Sequence, residues 1–283
     1  MRKLFAVYLL VMLALPVASL CGEFQFFQPV NPPRAFQTMA HRGASGQAPE
    51  NTRAALQRCI DDGIEWAEVD IRLTKDGQHV LWHDAKLDGK TSGTGAVKDH
   101  TLDALLKLDA GSWFAKRYAG EHLFSFAECL QFAKGKLNLY LDCKDVNPEL
   151  LAQEILQAGV EKQVVVFDHV TNLLRVRKAG QGRVAIMAKW FPNNGAIAWI
   201  DSLHPDAVEI NAEDITPAIA RSFHEKGIKV QTKNLGHWDE PKFWNKVLAA
   251  RVDWIQTDLP EELIAYGFWR THRRADIPVR SSE

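Results

Sequence analysis

Short apolar, β-branched runs separated by helical periodicity recur along nearly all of this 283-residue chain, and that alternation constrains its fold more than any other feature. The runs are Phe36 to Ala40, Trp66 to Leu73, His79 to Trp82, Leu137 to Leu141, Val164 to Phe167, Val184 to Ala188, Ala207 to Ile210, Ile228 to Gln231 and Asp253 to Gln256. Between most of them lie stretches with helical spacing that close on glycine: Thr52 to Ile60 at Gly63, Pro148 to Gln157 at Gly159, Thr171 to Lys178 at Gly180, and Thr216 to Lys226 at Gly227. Pro241 to Ala250 completes the set. Repeated strand and helix predict an α/β fold with a parallel sheet covered by helices. A domain over 36–269 is close to the ~250 residues of a (β/α)8 (TIM) barrel, which favours that closed form over an open doubly wound sheet.

Nine runs are one more than eight barrel strands require. Lys75-Asp76-Gly77-Gln78 resolves the surplus, because a connection that short makes a hairpin and cannot make a parallel crossover. The third strand is therefore expected to run antiparallel and to carry His83 back toward the barrel mouth. Residues 85–125 interrupt the pattern with Gly89, Gly93, Gly95, Gly111 and Gly120 and read as a small inserted lobe above the mouth. Residues 270–283 read as a polar tail. With 34 Lys+Arg against 35 Asp+Glu, the chain has no basic field for nucleic acid, so an anion must be held locally.

Arg2 and Lys3 before the apolar run Leu4 to Leu15, then Pro16, Ala18 and Ser19, have the form of a secretory leader over 1–19. Export to a periplasm or the medium is the expectation. Cys21 raises a lipid-anchored alternative, which the bulky Leu20 before it disfavours. Cys21, Cys59, Cys129 and Cys143 show no zinc-binding spacing, and Cys59 and Cys143 read as small buried thiols.

His41-Arg42-Gly43, Pro49-Glu50-Asn51-Thr52, Glu68-Val69-Asp70 and His83-Asp84 gather two histidines, an arginine and several carboxylates into one stretch. Imidazoles serve as base and acid near neutral pH. Glu68 and Asp70, two apart on a strand, share a face and so reach one hard divalent cation, while an arginine beside them makes a phosphate ester the expected substrate. His41 directly follows the first strand, at the end of the barrel where such folds keep their functional groups. Asp142 and Lys144 repeat the two-residue spacing on a later strand, adding a third carboxylate and a cation. Pro49 to Thr52 is expected to open the first helix, with Pro in its first turn and free amides aimed at the mouth. Glu50 reads either as a cap or as a partner that orients Arg42 or a histidine.

Plainer readings compete with these. A lone histidine at a strand end is more often structural, and two acids on a strand are as often a solvated edge; the joint pattern is what favours a site. Asp168-His169 ends another strand but is marked by position alone. His79, His100, His122, His204, His224, His237 and His272 lack companions and default to structural or surface roles. Trp113, Phe114, Trp190, Phe191, Trp238 and Trp244 read as packing plugs, so membrane contact is not indicated.

These residues resemble the glycerophosphodiester phosphodiesterase family, whose signature is similar to Ala40-His41-Arg42-Gly43, Pro49-Glu50-Asn51-Thr52, Glu68-x-Asp70, Thr74-Lys75-Asp76-Gly77 and His83-Asp84. Leu108 to Trp113 resembles part of the family's inserted lobe, Leu141 to Lys144 its Glu-x-Lys strand, and Gln256-Thr257-Asp258-Leu259-Pro260 its closing strand. The resemblance implies a barrel of the phosphatidylinositol-phospholipase-C-like type with one divalent cation, Ca2+ or Mg2+, on Glu68, Asp70 and Asp142. It implies acid/base roles for His41 and His83, phosphate binding by Arg42, and substrate contacts from Lys144 and Phe167. Two departures stand out: Asp142 where the family usually has Glu, and Gln231-Thr232-Lys233-Asn234 where an aromatic usually precedes Thr and an apolar residue precedes Asn. The implied reaction is metal-dependent hydrolysis of glycerophosphodiesters, such as glycerophosphocholine or glycerophosphoethanolamine, to sn-glycerol 3-phosphate and an alcohol. Two alternatives use the same residues. One is a lysophospholipase D or phospholipase C activity on membrane lipids; the other is a non-catalytic binding protein for exported phosphodiesters.

Overall fold

The computed structural model describes Val30, Pro32 and residues 34–192 and 198–273. The leader over 1–19, Cys21 and residues 274–283 of the expected tail lie outside the described residues. Along the chain run β1 (Gln37–Ala40), α1 (Arg53–Asp61), β2 (Trp66–Leu73), β3 (His79–Leu81), α2 (Leu102–Leu105), β4 (Phe124–Ser125), α3 (Phe126–Ala133), β5 (Asn138–Asp145), α4 (Pro148–Ala158), β6 (Val164–Phe167) and α5 (Val170–Ala179). There follow β7 (Ala185–Lys189), α6 (Ala198–Leu203), β8 (Ala207–Asn211), α7 (Pro217–His224), β9 (Lys229–Asn234), α8 (Pro241–Ala250), β10 (Trp254–Thr257) and α9 (Pro260–Arg273). The last helix carries helical structure past residue 269, where the tail was expected to begin.

Strand order β1-β10-β9-β8-β7-β6-β5-β2, with β1 also paired to β2, closes a barrel of parallel strands. Side-chain alternation then sorts every strand into two faces. Met39, Trp66, Tyr140, Val165, Phe167, Ala185, Met187, Ala207 and Trp254 pack together inside. Their neighbours, such as Val69, Leu141, Val166, Ile186, Val208 and Ile255, pack outward under the helices. Trp66 and Trp254 plug the interior with ring centroids 4.8 Å apart, and the Trp66 indole N–H donates to Gln37 Oε1 at 2.7 Å. Each fully buried ring of this kind stabilises the fold by on the order of 2–3 kcal/mol.

The hairpin expectation holds. β3 runs antiparallel to β2, and Gly77, at φ +73°, supplies the left-handed residue of the turn. β4, a two-residue strand with no sequence signal of its own, pairs antiparallel with β3 and returns the lobe to the sheet. His79, which defaulted to a surface or structural role, is buried in the arm: Nδ1 meets Glu154 Oε2 at 2.6 Å and Nε2 accepts the Asn147 N–H at 3.1 Å. It thereby ties the arm to the start of α4.

The 85–125 lobe has a small core of its own, in which Trp82, Leu87, Val97, Leu105, Ala110 and Leu123 take part. Asp109 organises its far end by accepting from the amides of Gly111, Ser112 and Gly120 and from the Ser112 hydroxyl, at 2.7–2.9 Å. At Gly111 a Cβ would stand 2.0 Å from Tyr118 O, so that chain crossing admits only glycine. The bonds from Gly120 and Ser112 hold the Asp109 carboxyl well below the ordinary carboxylate range. A depressed folded-state pKa adds stability above the unfolded value of 3.8, and that stability is lost as pH falls. Hydrogen-exchange protection at Gly111, Ser112 and Gly120 is therefore expected to hold above about pH 4 and to weaken below it. In Asp109→Asn it should be weak at every pH, while barrel amides keep theirs.

Candidate active site

β2 and β5 set the centre of the site. Their register places Asp70 directly opposite Asp142, with Glu68 one inward position below Asp70. One oxygen from each of Glu68, Asp70 and Asp142 lies within 4.8 Å of the others. Three carboxylates this close in a buried place repel, and burial, with the neighbouring acids adding to it, pushes Glu68 far above its ordinary value; burial also raises Asp142.

Each carboxylate is anchored by one oxygen. Glu68 Oε2 accepts the Arg42 amide at 2.7 Å, Asp70 Oδ2 accepts Asn51 Nδ2 at 2.7 Å, and Asp142 Oδ2 accepts Lys144 Nζ at 2.6 Å. Glu68 Oε1 is buried without a hydrogen-bond donor, and Asp70 Oδ1 has the Lys144 ammonium 3.1 Å away as its one close partner among the described residues. An orphaned oxygen among clustered, desolvated carboxylates is what a hard cation satisfies, so these residues fit a divalent ion. Asp142, despite its shorter side chain, stands within the cluster.

Lys144 owes its position to a β-bulge. Ile71 pairs with Cys143 and Arg72 with Asp145, which leaves Lys144 as the extra residue and turns its side chain onto Asp70 and Asp142. Burial alone would lower the Lys144 ammonium, but those two acids outweigh it and hold it above its ordinary value.

His41 follows β1, and its Nδ1 lies 2.7 Å from Asp258 Oδ1, just past β10. Arg42 Nε approaches His41 Nε2 at 3.3 Å, so that nitrogen accepts and Nδ1 carries the proton. Burial alone would raise the Asp258 carboxyl, but His41, together with the Gly236 amide and Arg42, outweighs it and holds the carboxyl below its ordinary value. Arg42 takes the left-handed conformation, φ +57°, and its guanidinium forks onto both oxygens of Glu50 at 3.0 and 3.1 Å. Glu50 is thus the partner that orients Arg42; Lys90 from the lobe shares it at 2.9 Å.

His83 arrives on the arm. The Trp82 amide donates to Asp70 O at 2.9 Å, continuing the β2–β3 ladder, and the Arg72 guanidinium grips His83 O at 2.7 and 2.9 Å. His83 Nδ1 meets Asp84 Oδ1 at 2.9 Å. His41, His83, Arg42, Glu50, Glu68, Asp70, Asp142 and Lys144 therefore converge. Phe167 faces the same interior with its ring 5.7 Å from that of Tyr140.

Two expectations are corrected. Pro49 does not open a helix: α1 begins at Arg53 with Thr52 as its cap, because Asn51 holds φ +58° to bond Asp70 through both its amide groups. Two of the amides at that end are taken by the protein itself, Ala54 N by the Glu121 carboxylate and Ala55 N by Thr52 Oγ1. Asp168-His169 leads into α5, Asp168 accepting from the His169 amide and from Asn172 Nδ2. Among the aromatics, Trp244 is a buried plug bonded to Asp239, whereas Trp113 and Phe191 stay exposed.

Sequence reasoning assigned no role to Asn51, Lys90, Asp258, Glu209 or Lys189. Asn51 and Asp258 lay inside stretches already singled out, and Glu209 carried a signal as an acid within an apolar strand run.

Comparison with known proteins agrees with this fold. Residues 41–191 match the model of the glycerophosphoryl diester phosphodiesterase family. A glycerophosphodiester phosphodiesterase from Caldanaerobacter subterraneus subsp. tengcongensis is 31% identical over 245 residues, 80% of this chain and 95% of that protein. One from Bacillus subtilis is 36% identical over 145 residues, 48% of this chain and 50% of that protein. A phosphodiesterase structure from Oleispira antarctica, in complex with the product sn-glycerol-3-phosphate, is 26% identical with a TM-score of 0.69, covering 81% of this chain and 96% of that one. The Agrobacterium tumefaciens glycerophosphodiester phosphodiesterase, 24% identical with a TM-score of 0.71 over 81% of this chain and 99% of that one, shares the fold. By sequence and by architecture the chain belongs to the glycerophosphoryl diester phosphodiesterase family.

Proposed function

We propose that this protein hydrolyses glycerophosphodiesters to sn-glycerol 3-phosphate and an alcohol, with one divalent cation, Ca2+ or Mg2+, held by Glu68, Asp70 and Asp142. The observation that carries the reading is the convergence of a base-ready histidine, a second histidine and an arginine on three clustered carboxylates with an orphaned oxygen. The relative crystallised with sn-glycerol-3-phosphate supports the product. A bound divalent cation supplies Lewis acidity to a phosphate oxygen and lowers the pKa of an adjoining hydroxyl.

His41 presents Nε2 without a proton while Asp258 holds Nδ1, which suits it to take the proton from a glycerol hydroxyl as that oxygen attacks phosphorus. The new O–P bond closes a cyclic phosphodiester as the P–O bond to the alcohol breaks. His83, aligned by Asp84, gives its proton to the departing oxygen. Water then opens the ring with the two histidines in exchanged roles. Arg42, aimed by Glu50, and Lys144 offset charge on the nonbridging oxygens. The leader-like segment over 1–19 supports the proposal that the reaction takes place outside the cytoplasm.

His41→Ala and His83→Ala are each expected to lower kcat for glycerol 3-phosphate release from glycerophosphocholine by roughly 10²- to 10⁴-fold. Near-normal turnover in both would overturn the scheme. A p-nitrophenyl leaving group, which needs no proton, should restore much of the rate to His83→Ala and little to His41→Ala. Asp258→Asn should lower kcat by roughly 10²-fold with KM near the wild-type value, because an Asn can leave the imidazole in the wrong tautomer. Adding Ca2+ or Mg2+ at about 100 times its Kd should stabilise the EDTA-treated protein against thermal unfolding by about 2.7 kcal/mol. Glu68→Gln should lose most of that gain.

A further inference from the structure

Half of the barrel mouth takes no part in the phosphate chemistry. His41 follows β1, and Glu68, Asp70, Asp142 and Lys144 belong to β2 and β5; across the interior, the inward positions at the ends of β7, β8 and β9 are Lys189, Glu209, Asn211 and Lys233. Alternation assigns them, because Met187 and Ala207 on the same faces pack inside, while Ala188, Val208 and Ile210 pack under the helices. In register, Lys189 is level with Glu209, Glu209 with Gln231, and Asn211 with Lys233.

Glu209 is only 3% exposed, a place where an isolated carboxylate is strongly disfavoured. Two donors hold it there: Lys189 Nζ at 2.8 Å from Oε1, and the Tyr140 hydroxyl at 2.7 Å from Oε2. Burial, with Glu209 beside it, pushes the Tyr140 phenol well above its ordinary value, so it keeps its proton and remains a donor. Tyr140 stands on β5 one inward position below Asp142, which joins this polar wall to the floor of the carboxylate cluster. Lys189 Nζ also donates to Asn211 Oδ1 at 2.5 Å and lies 5.5 Å from the centre of the Phe191 ring, which leaves one of its three N–H groups without a hydrogen-bond acceptor among the described residues. Lys233, half-buried, has no ion-pair partner among the described residues.

Asp214 Oδ2 accepts from Asn211 Nδ2 at 3.3 Å, so the wall presents two ammonium groups, the Glu209 carboxylate already paired with Lys189, and Asp214 behind Asn211; the ammonium groups disfavour a cation, and a hydrocarbon chain laid over them would leave them desolvated and unpaired. Hydroxyl groups match the wall, since each accepts an N–H from a lysine and returns an O–H to Glu209 or Asn211. We infer that Lys189, Glu209, Asn211 and Lys233 read the organic part of the diester and select a polyhydroxylated, uncharged or anionic group over a cationic one. Resting on the proposed reaction, this ranks glycerophosphoinositol and glycerophosphoglycerol ahead of glycerophosphocholine and glycerophosphoethanolamine. It also makes functional sense of Lys233, one of the departures from the family pattern.

The test is kcat/KM for those four diesters with the metal-loaded wild type, Lys233→Met and Glu209→Gln, each checked for an intact thermal transition. The polyol diesters should exceed glycerophosphocholine by about 10-fold or more, and each variant should close the gap to within about threefold, chiefly by raising KM for the polyol diesters. A wild-type ratio near one, or a ratio that both folded variants leave unaltered, overturns the inference. Calorimetric titration with inositol 1-phosphate and with phosphocholine reads the same wall without turnover: tighter inositol phosphate binding that Lys233→Met weakens supports it, and equal binding overturns it. If none of the four diesters is cleaved with Ca2+, Mg2+, Mn2+ or Zn2+, the proposed reaction fails on its own and the titration still decides the wall.

Discussion

The pairing of β2 with β5 brings Asp70 level with Asp142, and with Glu68 one inward position below they place three carboxylates where the barrel gives them little water. Clustered buried carboxylates are unfavourable by themselves, so the surrounding chain is arranged around them. The Arg42 amide, the Asn51 side chain and Lys144 each take one oxygen, and the left-handed turns at Arg42 and Asn51 exist to make those bonds. Gly43, with φ +75° and no room for a Cβ against Ala55, completes the same tight loop. What remains unpaired is cation-shaped. The repulsion that makes the site unfavourable to build is also what suits it to the proposed divalent cation.

Two parts of the molecule that break the barrel's repeat bring further side chains to the carboxylates. The antiparallel arm sets Trp82 beside Asp70 and His83 next along it, stitched by the Trp82 amide and gripped by Arg72, while His79 fixes its base to α4. The lobe reaches back with Lys90 to Glu50 and with Tyr118 to the carbonyl of Gln47, so the loop holding Arg42 is braced from above. Barrel closure supplies the last piece. Because β10 pairs with β1, Asp258 from near the end of the chain lies against His41 from near its beginning.

Much of this was legible in the residues. Alternating runs indicated a barrel, the four-residue Lys75–Gln78 connection indicated the arm, and the two-residue spacings of Glu68/Asp70 and Asp142/Lys144 indicated shared faces. Lys144 nevertheless reaches its place through a bulge, which no spacing rule foresees, since an extra residue leaves no mark until the neighbouring strand sets the register. The start of α1 was misread at Pro49 because proline suits a first helical turn locally, whereas Asn51 is drawn out of helical conformation by its long-range bonds to Asp70. β4 was invisible because two residues make a strand only when β3 lies beside them.

By itself the sequence determined the fold class and singled out the two histidines, the arginine and the three carboxylates that the barrel brings together. These follow from residue type and from periods of two and 3.6, which are properties of neighbours along the chain. Only the tertiary structure decided that Asp258 holds His41, that Glu50 aims Arg42, that Asn51 anchors Asp70, and that Lys189, Glu209, Asn211 and Lys233 form a charged wall across the mouth. Those relations join residues up to 217 positions apart. Barrel closure and strand register create them, and neither is set by any local stretch of chain.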